Sequence, residues 1–130
     1  MKLVPIHALK PHEKTRPKRI REVCAELMRQ NAVHAIVVDQ KTRTVLDGHH
    51  RLHVLKTMGA RKIPVRMVAL RSKAVSVRSR RKNVRVSKAS VVSRAKKGTL
   101  YPPKTTKHLW KKKHVSILTK RTTIPLNELM

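Results

Sequence analysis

Acidic residues are scarce in this chain, and their scarcity is the strongest signal that the sequence contains. The 130 residues include 33 lysines and arginines but only 6 aspartates and glutamates, so the formal net charge is +27. No acidic residue stands between Asp47 and Glu128. Surface salt bridges therefore do not explain the charge of the second half, because their acidic partners are missing. An external polyanion is expected to supply the missing negative charge.

Several other absences narrow the setting. Cys24 is the only cysteine, which excludes an internal disulfide and fits a reducing compartment. No apolar run approaches the ~18 residues of a membrane-spanning helix, and the N-terminus lacks a signal-type apolar stretch. The chain has no phenylalanine, one tryptophan and one tyrosine, which disfavours a single-strand binder built on stacked aromatic rings. We expect a cytoplasmic protein that recognises charge and shape.

The first half alternates between predicted strands and helices. Residues 17–31 predict a helix because Ile20, Val23, Cys24, Leu27 and Met28 recur at helical spacing. A second helix follows the sequence Asp-Gly-His-His-Arg at 47–51, with a glycine past its end to cap it. Strands are predicted at 2–9, 34–39, 44–46 and 63–70, with a polar turn at 40–43. This alternation indicates a small mixed α/β domain.

The second half, from about Arg71, is more basic and less regular. Valines at 75, 77, 84 and 86 alternate with polar and basic residues on either side of 78–83, which predicts a basic β-hairpin. A short helix at 87–97, a loop at 101–108 and a strand at 115–118 are predicted to follow. We assign residues 1–70 to the core of the domain. Residues 71–130 are assigned to a basic hairpin, a short helix and a C-terminal extension that complete the domain.

The junction at 47–51 has the features of an anion site. Gly48 permits close backbone approach, and the amides of His49, His50 and Arg51 would stand at a helix N-terminus. There the free N–H groups and the helix dipole favour a bound anion, such as phosphate. Arg51 could add a bidentate contact to a phosphate group.

Three segments carry a resemblance to a known family. They are Leu9–Glu13 (LKPHE), Val38–Arg51, which ends in VLDGHHR, and Pro102–His108 (PPKTTKH). The first two resemble the ParB/sulfiredoxin-like domain, a small mixed-sheet fold whose strand-to-helix turn binds nucleotide phosphates. With the third segment, the chain is most similar to the archaeal branch that contains ADP-dependent free serine kinases. The resemblance covers most of the chain.

The resemblance implies roles for individual residues. Glu13 would be the general base for the serine hydroxyl, and Asp47 and His49 would complete the catalytic set. A nucleotide and its phosphates would be bound by Gly48, His49, His50, Arg51, Lys104, Thr105 and Thr106. The cofactors implied are Mg²⁺ and ADP or ATP.

Other features of the sequence weigh against an enzyme. A phosphotransferase usually holds magnesium with carboxylates, and beyond Asp47 none follows until Glu128. Sulfiredoxin chemistry is excluded because this turn lacks that family's cysteine, and no room remains for the helix-turn-helix domain of a chromosome-partitioning ParB. His49 and His53 have the i, i+4 spacing of a zinc pair, but no third ligand is evident. We therefore expect neither a metal site nor a resident cofactor.

The sequence thus predicts an RNA-binding protein on a ParB-like scaffold, ribosomal or ribosome-associated, with ribosomal RNA and neighbouring ribosomal proteins as partners. The alternatives are an ADP- or ATP-dependent free serine kinase-like phosphotransferase and an architectural DNA-binding protein. The composition suits an archaeal thermophile. The residues predicted to contact RNA phosphates are Arg78, Arg80, Arg81, Lys82, Arg85, Lys96, Lys97, Lys111, Lys112 and Lys113.

Overall fold

A computed structural model describes all residues, 1–130, as a mixed α/β protein with three α-helices and nine short strands. The predicted fold class is confirmed. The helices are α1 (Pro17–Gln30), α2 (His49–Thr57) and α3 (Lys88–Lys97). The strands are β1 (Lys2–Pro5), β2 (Ala32–His34), β3 (Ile36–Asp39), β4 (Val45–Asp47), β5 (Lys62–Val68), β6 (Val75–Ser79), β7 (Thr106–Trp110), β8 (Lys113–His114) and β9 (Thr123–Pro125).

The central sheet has four strands in the order β1-β5-β3-β4. β3 runs parallel to β5 and antiparallel to β4, and β1 is antiparallel to β5. All four residues of β3 are buried, as expected for an inner strand that is covered on both faces. The strand-to-helix turn at 47–51 therefore leaves the sheet from β4, next to this buried strand.

Each face of the central sheet packs against its own apolar cluster. The first cluster joins the sheet to α1 and α2, with Leu27, Ile36 and Leu55 among its buried members. The second joins the opposite face to the C-terminal half, with Val37, Val75 and Val91 among its members. Burial of these side chains is the main stabilising contribution to the fold. The basic half therefore folds onto the first half and shares its central sheet.

The C-terminal half forms a second sheet in the order β6-β7-β8, and the chain end returns to the first cluster. There β9 pairs with β2, and Leu129 is fully buried in the first cluster. α3 begins at the residue after Ser87, which caps its N-terminus because the Ser87 side chain accepts the Ser90 N–H, and Gly98 caps the C-terminus in the left-handed conformation. No helix is long and apolar enough to cross a membrane.

Six local predictions were wrong. The strand predicted at 2–9 ends at Pro5 and is followed by a 3₁₀ turn at Ile6–Ala8, and the loop predicted at 101–108 contains the first residues of β7. β6 pairs with β7, about thirty residues further along the chain, and Val84 and Val86 lie outside any strand. Residues 115–118 form a 3₁₀ turn, and the strand predicted at 34–39 is broken at Ala35. Met28, predicted on the buried face of α1, is 67% exposed. These errors concern which distant segments a stretch of chain pairs with or packs against. The spacing of apolar residues along the sequence does not contain that information.

A basic pocket at the start of helix α2

The three segments that carry the family resemblance meet at one place in the structure. The segment containing Glu13 lies between β4 and the start of the Pro-Pro-Lys-Thr-Thr segment. On one side, the Val45 N–H donates to the Lys10 carbonyl at 2.9 Å. On the other, the Tyr101 N–H donates to the His12 carbonyl and the Lys14 N–H donates to the Tyr101 carbonyl, both at 2.8 Å. Backbone pairing therefore brings residues about ninety positions apart into one site.

Gly48 is required at the turn between β4 and α2 for two reasons. Its φ of +103° lies in a region that other residues rarely adopt. A Cβ atom here would also lie 2.3 Å from Cγ2 of the buried Ile36 side chain. The glycine thus allows helix α2 to begin directly against the central strand, and residues 48–51 line the pocket.

The paired histidines that follow hold the Glu13 segment in place, a role the sequence did not predict. Nε2 of His49 accepts the His12 backbone N–H at 3.2 Å, and Nε2 of His50 accepts the Arg16 backbone N–H at 3.1 Å. Both bonds require a ring without a proton on Nε2. Burial lowers the pKa of both rings, and this favours the neutral form. Neighbouring histidines lower the pKa of His49 further, and basic side chains such as Arg19 and Lys104 lower that of His50.

Arg51 has protein partners for most of its guanidinium group. Nη1 donates to the carbonyls of His34 and Ala35 at 3.2 and 2.9 Å, and Nη2 donates to the Asp47 carboxylate at 3.3 Å. These bonds hold the break between β2 and β3 against helix α2. Arg51 and Asp47 both line the pocket, but their charges are largely directed at each other.

Glu13 is the carboxylate that the three segments enclose. One carboxylate oxygen accepts the Thr105 N–H, and the other accepts the Thr106 hydroxyl at 3.0 Å. Glu13 is buried, and burial raises its pKa, although the two threonine contacts oppose the rise. The expected grouping of Glu13 with Thr105 and Thr106 is therefore present.

A hydrogen-bonded chain runs from Glu13 through Thr106 to His12. Nδ1 of His12 lies 2.8 Å from the Val45 carbonyl, which only accepts, so Nδ1 donates. The Thr106 hydroxyl lies 2.9 Å from His12 Nε2 and 3.0 Å from the Glu13 oxygen, but it has a single proton. Satisfying both contacts requires one more proton, on His12 or on Glu13. Burial lowers the pKa of His12 to about 4 and raises that of Glu13.

His108 is a second functional candidate that sequence reasoning missed. It lines the pocket and is 1% exposed, yet neither ring nitrogen has a partner with hydrogen-bond geometry, although the Leu46 carbonyl lies nearby. Burial, with a smaller contribution from His12, lowers its pKa to about 3. Its ring centroid lies 5.5 Å from that of His12. An unpartnered buried imidazole at a pocket wall is available to a polar ligand.

The pocket itself has a volume of about 460 Å³, within the range of small-molecule sites. Basic side chains from separate segments line it: Lys14, Arg19, Arg80 and Lys104. Lys104 adopts a φ of +52°, an uncommon conformation for a lysine. These cations and the N-terminus of α2 create a positive potential that favours an anion.

The structure contains no group of three or more potential ligand side chains arranged to hold a metal ion. His49 already uses Nε2 to accept the His12 N–H, so it does not form the considered pair with His53. Glu13 is bound by two threonines and Asp47 by Arg51. The donor set therefore does not fit a magnesium ion held by the protein alone.

The ten basic residues predicted to contact RNA are all exposed. Two of them have additional roles. Arg81 donates to the Pro103 carbonyl at 2.6 Å and to Thr105 Oγ1 at 3.1 Å, so it supports the segment that binds Glu13. Arg80 lines the pocket. The basic surface and the pocket are therefore contiguous at the start of β7.

The two large aromatic side chains both serve the core. Tyr101 is 2% exposed, donates its hydroxyl proton to Ser90 and is covered by the Arg94 guanidinium at 4.1 Å. Trp110 packs against the second apolar cluster.

Comparison with known proteins gives a ParB-like protein as a relative of part of this chain. The chain matches no model of a protein family. It is 36% identical over 70 residues to a ParB-like protein of Sulfolobus acidocaldarius. That match covers 54% of this chain but only 35% of the relative, so the matched region spans about a third of that protein's length.

Solved structures show the same fold over nearly the whole chain. A conserved hypothetical protein from Pyrococcus furiosus matches with a TM-score of 0.84 and 13% identity, covering 99% of this chain and 97% of its own. A free serine kinase in complex with AMP matches with a TM-score of 0.82 and 14% identity, covering 99% and 93%. SbnI from Staphylococcus aureus, C-terminally truncated, matches with 0.70 and 15%, covering 98% and 88%.

The resemblance to ParB-like proteins is therefore confirmed. The chain has the ParB/sulfiredoxin-like fold, in the form also found in a free serine kinase.

Proposed function

We propose that this chain is an RNA-binding protein, ribosomal or ribosome-associated, built on a ParB-like scaffold. The observation that supports it is the number of exposed cations without an acidic partner. Of the 33 lysines and arginines, only Arg19 and Arg51 form an ion pair with a carboxylate. Glu13 and Asp39 are buried and bonded within the fold, so they neutralise little of the surface.

The C-terminal sheet illustrates the imbalance. Arg78 on β6 stands directly opposite Lys107 on β7, and both side chains are exposed. Like charges at directly opposite positions destabilise an antiparallel pair. A phosphate backbone lying along this surface would convert that repulsion into attraction, and it would release counterions from the nucleic acid.

The experiment that tests this proposal follows the native protein through a sucrose gradient of cell lysate. The gradient is run at low salt and again at about 0.5 M salt. The higher salt removes protein that is only loosely adsorbed to RNA, because the affinity of a basic protein for phosphates falls steeply with ionic strength. Migration with a ribosomal subunit at both salts is the expected result. Recovery at the top of the gradient even at low salt would contradict the proposal. Competition by duplex DNA as effective as that by RNA would instead support the architectural DNA-binding alternative.

A second function is supported by a separate observation, the enclosure of Glu13 in a basic pocket. The pocket suits a phosphorylated ligand such as a nucleoside diphosphate, and Glu13, which lines it, would be the base for a hydroxyl proton. Together with the shared fold, this favours a nucleotide-dependent phosphotransferase similar to free serine kinases, with Mg²⁺ arriving on the nucleotide.

The phosphotransferase candidate is tested by nucleotide turnover with ADP or ATP, Mg²⁺ and serine. Glu13→Gln should abolish turnover and leave RNA binding intact, whereas Glu22→Gln, on the exposed surface of α1, should change neither. If the wild-type protein turns over neither nucleotide, the phosphotransferase activity is contradicted, and the pocket is inherited from the fold without that function.

A further inference from the structure

The turn between β7 and β8 has an unusual composition for its geometry. Trp110 pairs with Lys113, so Lys111 and Lys112 alone form the turn of this hairpin. Both adopt positive φ, at 48° and 68°. Two-residue turns with positive φ at both positions strongly prefer Asn-Gly or related pairs, because a Cβ atom is disfavoured in this region. The chain places two lysines where the backbone favours glycine or asparagine.

The structure of the turn does not explain the lysines. Both side chains are exposed, and neither forms an ion pair. The Lys111 N–H donates to the Ala74 carbonyl at 2.8 Å, a backbone bond that any residue except proline would make. The Lys111 ammonium lies 5.9 Å from the Trp110 ring, near the limit of a cation–π contact. An unfavourable conformation kept without an internal gain indicates that the side chains act on something outside the chain.

The surroundings of the turn define the chemistry of that partner. Lys113 follows directly, and the exposed pair Arg78 and Lys107 lies three residues along the same sheet, about 10 Å away. No acidic residue occurs anywhere between 48 and 127. The surface thus presents cations at the tip and along the strands of a narrow sheet, and the Trp110 ring beside the tip packs against the second apolar cluster. This surface fits an extended row of phosphates, and it suits neither a protein surface nor a stacked base.

We propose that the β7–β8 hairpin is an RNA-contacting finger, with Lys111 and Lys112 at its tip each neutralising a backbone phosphate. This inference deepens the RNA-binding function proposed above and rests on it. The pair Arg78 and Lys107 continues the contact along the sheet. The finger does not distinguish one RNA base sequence from another, because lysine contacts phosphates as a point charge.

An RNA-contacting turn and a turn that only joins two strands lead to different expectations for one double variant. Lys111→Asn with Lys112→Gly installs the preferred turn and removes two charges. The double variant should melt at the same temperature as wild type or higher, because strain is relieved, yet it should bind RNA more weakly. Loss of two phosphate contacts should reduce the slope of log K against log salt by about 1.5, and weaken binding about 30-fold at roughly 0.1 M salt.

The experiment measures binding of the full chain to a fluorescent RNA stem-loop of about 20 base pairs, between roughly 50 and 200 mM salt. Lys111→Arg with Lys112→Arg keeps the charges and should keep both affinity and slope. The matched control is Lys18→Gln with Arg21→Gln, which removes two exposed cations from α1, beside the acidic residues Glu22 and Glu26. It should weaken binding less than about threefold.

Each outcome is decisive for one of the two proposals. If wild-type protein does not bind the stem-loop at the lowest salt, the RNA-binding function itself fails. If wild-type protein binds but the Asn-Gly variant keeps its affinity and slope, the finger is wrong and the contact lies elsewhere. An equal loss in the α1 control would show that binding depends on net charge alone, and that result also overturns the finger.

Discussion

The two halves of this molecule satisfy their polar groups in opposite ways. In residues 1–70, both aspartates have internal partners: Asp39 bonds Thr42 and Leu70, and Asp47 bonds Arg51. In residues 71–130, the cations stand exposed on a folded scaffold, with Arg78 facing Lys107 across two strands. The pocket itself draws on both halves, with Arg80, Lys104 and His108 from the second. The second half is a surface that lacks its counter-charge, and we attribute that difference to an RNA partner.

Both halves nevertheless depend on the same central sheet. Val37 from β3 belongs to the second apolar cluster, whereas Ile36 and Val38 belong to the first. Arg81, from the basic half, donates to the segment that binds Glu13. Changes to the halves should therefore differ in kind: packing changes in the first reduce stability, and charge changes in the second alter binding.

The largest effect is expected at the turn between β4 and α2, with Gly48→Ala. The added Cβ would lie 2.3 Å from a side-chain atom of Ile36, on a backbone with φ of +103°. Strain and overpacking together should reduce the free energy of unfolding by about 3 kcal/mol or more. Urea denaturation measures the loss.

Gly59→Ala is the matched control for that change. Gly59 also has a positive φ, +83°, but an added Cβ there would meet nothing within 4 Å. It should cost about 1 kcal/mol, from the backbone conformation alone. Equal costs at the two glycines would show that close approach to the central strand is unimportant.

A smaller effect is expected at the junction of the halves, where buried histidines make stability depend on pH. Burial lowers the pKa of His12 to about 4 and of His108 to about 3, below the 6.5 of an exposed ring. The folded state therefore binds fewer protons than the unfolded state between about pH 4 and 6.5. The free energy of unfolding should rise with pH in this window, by up to about 1.4 kcal/mol per unit per histidine.

Two features sharpen the pH experiment. Glu13 opposes the trend, since a raised folded pKa contributes stability that is lost as pH rises through it. His108→Leu should remove one histidine's share of the slope and raise stability at low pH, because its nitrogens have no partner to lose. His53→Gln, on the exposed side of α2, should leave the slope unchanged. Denaturation at several pH values gives all three slopes, and an unchanged slope for His108→Leu would contradict the account.

The smallest effect on stability is expected at the basic surface, with Arg78→Glu. The new carboxylate would face Lys107 directly across the sheet and replace repulsion by attraction. Stability should rise by about 0.5 kcal/mol, while affinity for RNA should fall. Arg85→Glu makes the same charge reversal in a loop, outside any strand pair, and should weaken RNA binding without the gain. If Arg78→Glu instead lowers stability, the charge of Arg78 is already compensated by other groups of the chain, which contradicts the expected repulsion with Lys107.

Local patterns predicted much of the first half and part of the site. The spacing of Ile20, Val23 and Leu27 predicted α1, and Asp-Gly-His-His-Arg predicted the strand-to-helix turn. The resemblance assigned Glu13, Thr105 and Thr106 to one pocket, and the structure brings them together, with the two threonines bonded to Glu13. These features depend on residues that are close in sequence or on motifs that the family resemblance links.

What could not be predicted depends on distant pairing. Val84 and Val86 have a strand-like pattern, but β6 finds its partner at 106–110, a choice set by tertiary packing. His49 and His50 are acceptors for backbone N–H groups at 12 and 16, which no local signal reveals. His108 reads in sequence as one more residue in a basic segment, and only the closed fold shows that its ring is buried.

The most direct test of the difference between the halves is ultraviolet crosslinking of the native protein to RNA in cell lysate, with the crosslinked peptides identified by mass spectrometry. The account predicts that crosslinks concentrate in residues 71–130, especially near 78–85 and at the 107–113 hairpin. Crosslinks confined to residues 1–70, or none at all from protein that is otherwise recovered intact, would contradict it.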